Sequence, residues 1–244
     1  EANPTRAMER FVNIPDIQQF EWEMAASGLA AVWAQENTRE SLFDAMRRRE
    51  TYATTGPRMR VRVFGGWDFT DEDLRAPNWV ERGYRKGVPM GADLTPPTNK
   101  KQIPVFIINT WKDPDGANLD RVQIVKGWLD EQGQTQEKVF DVGLSDGRVV
   151  SPLTGKAPIV GTTVDLSVPN YSNKIGEVQF SIRWTDPSFN IDEPSFYYVR
   201  VIEIPTPRWT AYDAAYFNLE MPDYVPMVTQ ERAYTSPIWF TPKE

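Results

Sequence analysis

From Pro57 onward the apolar positions recur every second residue. Met59, Val61 and Val63 alternate with Arg58, Arg60 and Arg62, and Val178, Phe180, Ile182 and Trp184 alternate with Glu177, Gln179, Ser181 and Arg183. This is the period of a strand with one buried face. Residues 103–111 and 119–128 read as a strand pair joined by the turn Asp113-Pro114-Asp115-Gly116. Further strands are predicted over 138–142, over 196–204 (closed by Pro205), and over 233–240, where Pro237 makes the strand an edge or bulged one. Seven or eight short strands with turn signals between them predict a β-sandwich. The stretch 65–101 is too long for an ordinary loop, so a short helix near Thr70 and an extra strand or arm are expected there.

The first 56 residues follow another pattern. Residues 1–26 read as irregular, with a short helix after Pro4. Leu29-Ala30-Ala31-Val32-Trp33 is a continuous apolar run, which suits a strand covered on both faces, as in a parallel sheet. A helix follows over 38–48: Asn37 or Thr38 caps it, Leu42, Phe43 and Met46 form one stripe, and Arg47-Arg48-Arg49 closes it. Strand then helix is the end of an α/β unit whose other strands are missing. The chain therefore divides into an α/β remnant, 1–56, and a β-domain, 57–244. The remnant is expected to pack against another polypeptide, either a preceding part of a longer parent or a second copy of the chain. The opening at Glu1, without methionine, is read as that of a processed product or a piece of something longer.

Composition narrows the chemistry. The 244 residues include no cysteine, which excludes disulfides, thiolate metal sites and a cysteine nucleophile. They include no histidine, which excludes a Ser-His-Asp triad, an imidazole base and His-ligated metals. A net charge of −7 lacks the basic footprint of nucleic-acid binding, and no apolar run is long enough to span a membrane as a helix.

Five groups of residues are candidates for a site. Asp113, Asp115, Asn118 and Asp120 space oxygen donors as in a small calcium loop, although Pro-Asp-Gly is equally a plain turn. Arg58, Arg60 and Arg62 share a strand face and suit a phosphate or carboxylate, or cross-strand acids. Asp68, Asp71, Glu72 and Asp73 form an acidic knot, which fits a capped helix start or a metal. Trp67, Trp79, Trp111 and Trp128 suit either core packing or stacking on sugars. Paired acids occur, but nothing spaces two of them as in a glycosidase. Tyr52, Thr54, Thr55 and Arg58 make a hydroxyl-rich junction between the two parts.

The segments 28–40, 48–58, 112–120, 123–128 and 230–239 carry a family resemblance. Glu36-Asn37-Thr38-Arg39-Glu40 and Gln230-Glu231-Arg232-Ala233-Tyr234-Thr235-Ser236-Pro237 are among its motifs. The chain resembles, from about residue 20 to its end, a bacterial family called domain of unknown function 3604. Members are longer, and their N-terminal part resembles the polymerase-and-histidinol-phosphatase class of metal-dependent phosphoesterase barrels. The resemblance implies divalent metals in the N-terminal half of the parent, and none can be placed on this chain, which lacks the histidines. It implies that Tyr52, Thr54, Thr55 and Arg58 lie near the barrel mouth of an intact parent. It implies an immunoglobulin-like or jelly-roll-type β-sandwich preceded by the barrel's last strand and helix. It also implies a periplasmic or extracellular place. The expected function is a non-catalytic accessory domain without a cofactor of its own. The alternative is a secreted carbohydrate-binding module.

Overall fold

A computed structural model describes residues 8–14, 17–24 and 27–243. The helix expected after Pro4 begins outside the described residues. The described chain opens with β1 (Arg10–Ile14), β2 (Ile17–Phe20), β3 (Leu29–Val32), α1 (Arg39–Arg47), β4 (Thr51–Thr54) and β5 (Arg60–Gly66). It continues through α2 (Asp71–Arg75), α3 (Trp79–Lys86), β6 (Gly87–Pro89), β7 (Asp93–Leu94), β8 (Val105–Trp111), β9 (Leu119–Leu129) and β10 (Thr135–Leu144). It ends with β11 (Gln179–Thr185), β12 (Ser195–Glu203), β13 (Thr206–Pro207), α4 (Trp209–Phe217), β14 (Val228–Thr229), β15 (Arg232–Thr235) and β16 (Ile238–Phe240).

Two main sheets face each other. The larger has eight strands, in the order β10-β9-β12-β15-β4-β3, with β16 beside β12 and β7 beside β16. The smaller has the order β11-β8-β5-β6. All pairings in the two sheets are antiparallel except β16 with β7. Side chains from both sheets meet in one core. Val61, Val63, Phe106 and Ile108 come from the smaller sheet, and Val122, Ile124, Val199 and Val201 from the larger. The alternation read at Arg58–Val63 is therefore real: Met59, Val61 and Val63 are buried, while Arg60 is exposed. On the other face of the smaller sheet, Phe64, Phe69, Leu74, Val105 and Ile107 form a second core, with Trp79 and Val80 of α3 packed on it.

The turn at Asp113–Gly116 differs from expectation. It is a turn, closed by the Gly116 N–H on the Asp113 carbonyl at 3.0 Å. Yet β8 and β9 do not pair. β8 lies between β5 and β11, and β9 between β10 and β12. The turn carries the chain from one sheet to the other. Both strands thus place apolar residues in the same core from opposite sides, which pairing within a single sheet would forbid. The expected strand over 233–240 is also two strands. Pro237 offers no N–H to the ladder, and β15 and β16 pair separately with different parts of β12.

Residues 29–33 are corrected most strongly. β3 is not a covered parallel strand. It pairs antiparallel with β4 and forms an edge of the larger sheet. Leu29 is 42% exposed. The helix expectation holds: α1 is capped by Thr38, whose hydroxyl accepts from the Ser41 N–H at 3.3 Å. The helix near Thr70 is α2, with Thr70 and Asp73 as a reciprocal capping box. Nothing in the apolar pattern predicts α3 or α4.

Gly91 packs tightly between the end of α1 and the Pro237 bend. Its φ is +88°, its N–H donates to the Pro237 carbonyl at 3.1 Å, and an added Cβ would stand 2.0 Å from the Arg49 carbonyl oxygen. Gly91→Ala is expected to cost about 2–4 kcal/mol, from left-handed strain plus a clash with rigid backbone. Urea unfolding of the variant measures it, and an unchanged midpoint would refute this account.

Candidate functional site

Of the four junction residues singled out from the sequence, Tyr52, Thr54 and Arg58 converge. Leu29–Trp33, Tyr52 and Thr54, Arg58–Arg60 and Asp113–Asp115 line one groove of about 660 Å³. Pairing of β3 with β4 forms one wall, and the turn between the sheets forms the other. Tyr52 and Thr54 share a face of β4 because they are two residues apart. Burial pushes the Tyr52 hydroxyl above its ordinary value, and Arg60 opposes the shift. Asp113 is used structurally: its carboxylate accepts from the Arg58 N–H at 2.6 Å and from the Asp115 N–H at 3.0 Å. Thr55 turns away from the groove. Its hydroxyl donates to Glu231 and accepts from the Arg232 N–H at 2.9 Å.

The calcium candidates are not brought together. Asn118 is buried, and its amide donates to the carbonyls of Asn173, Ile175 and Gly176. Asp120 is fully buried and held by Arg121, Arg148 and Gln230. Only Asp113 and Asp115 stay at the turn. Among the described residues, no three His, Cys, Asp or Glu side chains stand close enough together to hold a metal ion. The acidic knot is a helix start. Asp73 receives Lys86 at 2.6 Å, Arg82 at 3.2 Å and the Thr70 N–H at 2.9 Å. Against the opposing effect of desolvation, these bonds hold its carboxyl well below the usual carboxylate range.

The four tryptophans do not share an exposed face. Trp67 packs on Phe189 and Phe240 beside the main core, and Trp79 meets Phe64 in the second core. The Trp111 indole donates to Gln179, and Trp128 lies under the Lys126 ammonium.

Of Arg58, Arg60 and Arg62, Arg62 ties β5 to the segment around α1 and β4. Arg62 lays its guanidinium 4.4 Å from the Trp33 ring, pairs with Glu50 at 3.3 Å and donates to the Tyr84 hydroxyl at 2.9 Å. Glu50 is fully buried, with Arg48 at 3.6 Å and the Tyr84 hydroxyl donating to it. Desolvation and this carboxylate raise the Tyr84 hydroxyl's pKa. The network fastens α1 and β4 onto β5 and α3, but it leaves the α1 stripe outward. Phe43 is 59% and Met46 55% exposed, and both line an apolar hollow with Leu42.

Glu203 was not singled out from sequence. It sits at the inward end of the series Tyr197, Val199, Val201, Glu203 on β12. A charged residue at an inward position of such a series was the available signal. Its side chain is buried, and one carboxylate oxygen has no partner among the described residues. Desolvation, reinforced by Glu231 and Asp113 and opposed by Lys112, pushes its pKa up to about 8.

Compared with known proteins, residues 1–242 match the model of a family described as a protein of unknown function (DUF3604). No curated protein and no solved structure matches the chain.

Proposed function

The chain belongs to the DUF3604 family, and we propose that within such a protein it is a non-catalytic accessory β-domain that docks on a preceding α/β barrel of the same polypeptide. One observation carries this reading. The open edge of β3 and the outward stripe Phe43 and Met46 of α1 occur together, on a segment rigidly fastened to the β-domain. An open edge presents unpaired N–H and C=O groups, and an adjoining apolar helix face seeks cover. The last strand and helix of a barrel have both needs. A preceding barrel of the same polypeptide would bring strands and helices that meet both. On this reading residues 1–56 are the barrel remnant and the two facing sheets are a sandwich of immunoglobulin-like or jelly-roll type. Metals and hydrolytic chemistry belong to the barrel. The groove at Tyr52, Thr54 and Arg58 lies toward its mouth, and the location is periplasmic or extracellular.

Co-purification tests it. The chain, co-expressed with the preceding region of a family member, is expected to form a complex stable to gel filtration. Phe43→Asp with Met46→Asp is expected to weaken it by at least roughly tenfold, since burial of each such side chain is worth about 1.5–3 kcal/mol. Undiminished association of the double variant would overturn the reading. So would metal-dependent phosphatase turnover by the homogeneous isolated chain.

A further inference from the structure

The outer face of the larger sheet holds a second feature, at the end of the strand order away from β3. Four positions lie side by side across β16, β12, β9 and β10. Trp239 is opposite Phe196, Phe196 opposite Gly127, and Gly127 opposite Glu137. Their sequence neighbours Ile238 and Tyr197 belong to the core, so the row faces outward. At strand spacing the row spans about 14 Å.

Gly127 shapes it. An added Cβ there would stand 2.4 Å from the Phe196 ring, so that ring lies down on the glycine and leaves a trough instead of a ridge. Trp239 stands beside Phe196, ring centroids 5.1 Å apart at 47°, and is 40% exposed. The resulting cleft of about 500 Å³ also takes in Thr135 and Thr241. Gln136 donates to Asp130 at 2.9 Å, but the polar groups at the two ends of the row are free to bind. Among the described residues, neither the Trp239 indole N–H nor the Glu137 carboxylate has a hydrogen-bond partner.

We propose that this cleft is a binding site for a neutral saccharide. An aromatic floor takes the C–H face of a sugar ring, while a donor at one end and an acceptor at the other take its hydroxyls, which both donate and accept. A wholly apolar ligand would leave both polar ends unpaired on desolvation. Anionic ligands, nucleotides and acidic sugars included, meet the Glu137 carboxylate in the cleft and a net charge of −7 on the chain. The site goes beyond the docking role and uses none of the tryptophans considered for sugar stacking except Trp128, which borders the cleft.

The test is titration of the full chain with cellohexaose, xylohexaose, mannohexaose and triacetylchitotriose, read by tryptophan fluorescence and calorimetry. At least one is expected to bind saturably. Trp239→Ala is expected to weaken that binding roughly tenfold, with Trp239→Phe intermediate. Glu137→Gln is expected to weaken it by about threefold, one charge-assisted hydrogen bond being replaced by a neutral one. Thermal melting confirms that each variant is folded. No binding by any of the four, undiminished binding by Trp239→Ala, or binding of choline alone would overturn the proposal. Docking is read from Phe43 and Met46 at the other edge of the sheet, so either result stands without the other.

Discussion

Asp186→Ala is expected to lower the unfolding free energy by about 3–5 kcal/mol, the usual loss when one partner of a buried ion pair is removed. Asp186 and Lys126 are 0% and 1% exposed, in contact at 2.7 Å. Around them the polar groups are satisfied. The ammonium also donates to the Ser188 carbonyl at 2.9 Å, and the Tyr197 hydroxyl donates to Asp186 at 2.8 Å. Burial and the Asp186 charge keep that hydroxyl protonated well beyond the ordinary tyrosine range. Removing Asp186 strands a cation among the rings of Trp128 and Tyr197, 5.0 and 5.8 Å away, which offset only part of the desolvation. The double change Lys126→Met with Asp186→Leu is expected to recover most of the loss, since no buried charge is left. Urea titrations of the three proteins check this. A loss below about 1 kcal/mol for Asp186→Ala would show that water reaches the pair.

Glu203→Gln is expected to stabilise the chain in alkali and to flatten its pH dependence. The Glu203 carboxyl is raised to about 8 in the folded chain, against an ordinary value of 4.5. Its protonated form is the one the fold accepts, so its contribution is complete below about pH 4.5 and is lost as pH rises through about 8. The difference corresponds to something on the order of 4 kcal/mol between pH 4 and pH 9. Asp73 acts in the opposite direction: its depressed carboxyl adds stability above the ordinary carboxylate range and loses it in acid. Glu203 therefore governs the alkaline limb. Melting curves from pH 5 to 9 separate the two. If wild type and Glu203→Gln decline in parallel above pH 7, Glu203 is not the group responsible.

Much of the fold was legible because period-two patterning is a local property. At Met59–Val63 the strand period showed directly which side of β5 is buried, and Thr38 and Thr70 announced α1 and α2 through capping chemistry. Tyr52, Thr54 and Arg58 lie close together in the chain and line one groove, which Thr55 does not. The helix α4 was not. It has apolar residues on all sides and no side-chain cap, so neither helical period nor start signal marks it. The apolar run at Leu29–Trp33 misled as to both cover and pairing, because a run without alternation fixes neither which faces are buried nor the direction of the partner strand. Direction came from the distant partner β4, beyond α1.

A mostly β chain with no thiol or imidazole chemistry, and the buried faces of several of its strands, could be read from the residues alone. These follow from composition and from contacts within a few residues. That β8 and β9 belong to different sheets could not, because pairing depends on which distant strands compete for the same edge. Nor could the residues alone show that Lys126 meets Asp186, 60 positions on, or that Glu203 is crowded by Asp113 and Glu231. The row of Trp239, Phe196, Gly127 and Glu137 is of the same kind. Such meetings are set by strand register, and register is fixed by how the whole core closes.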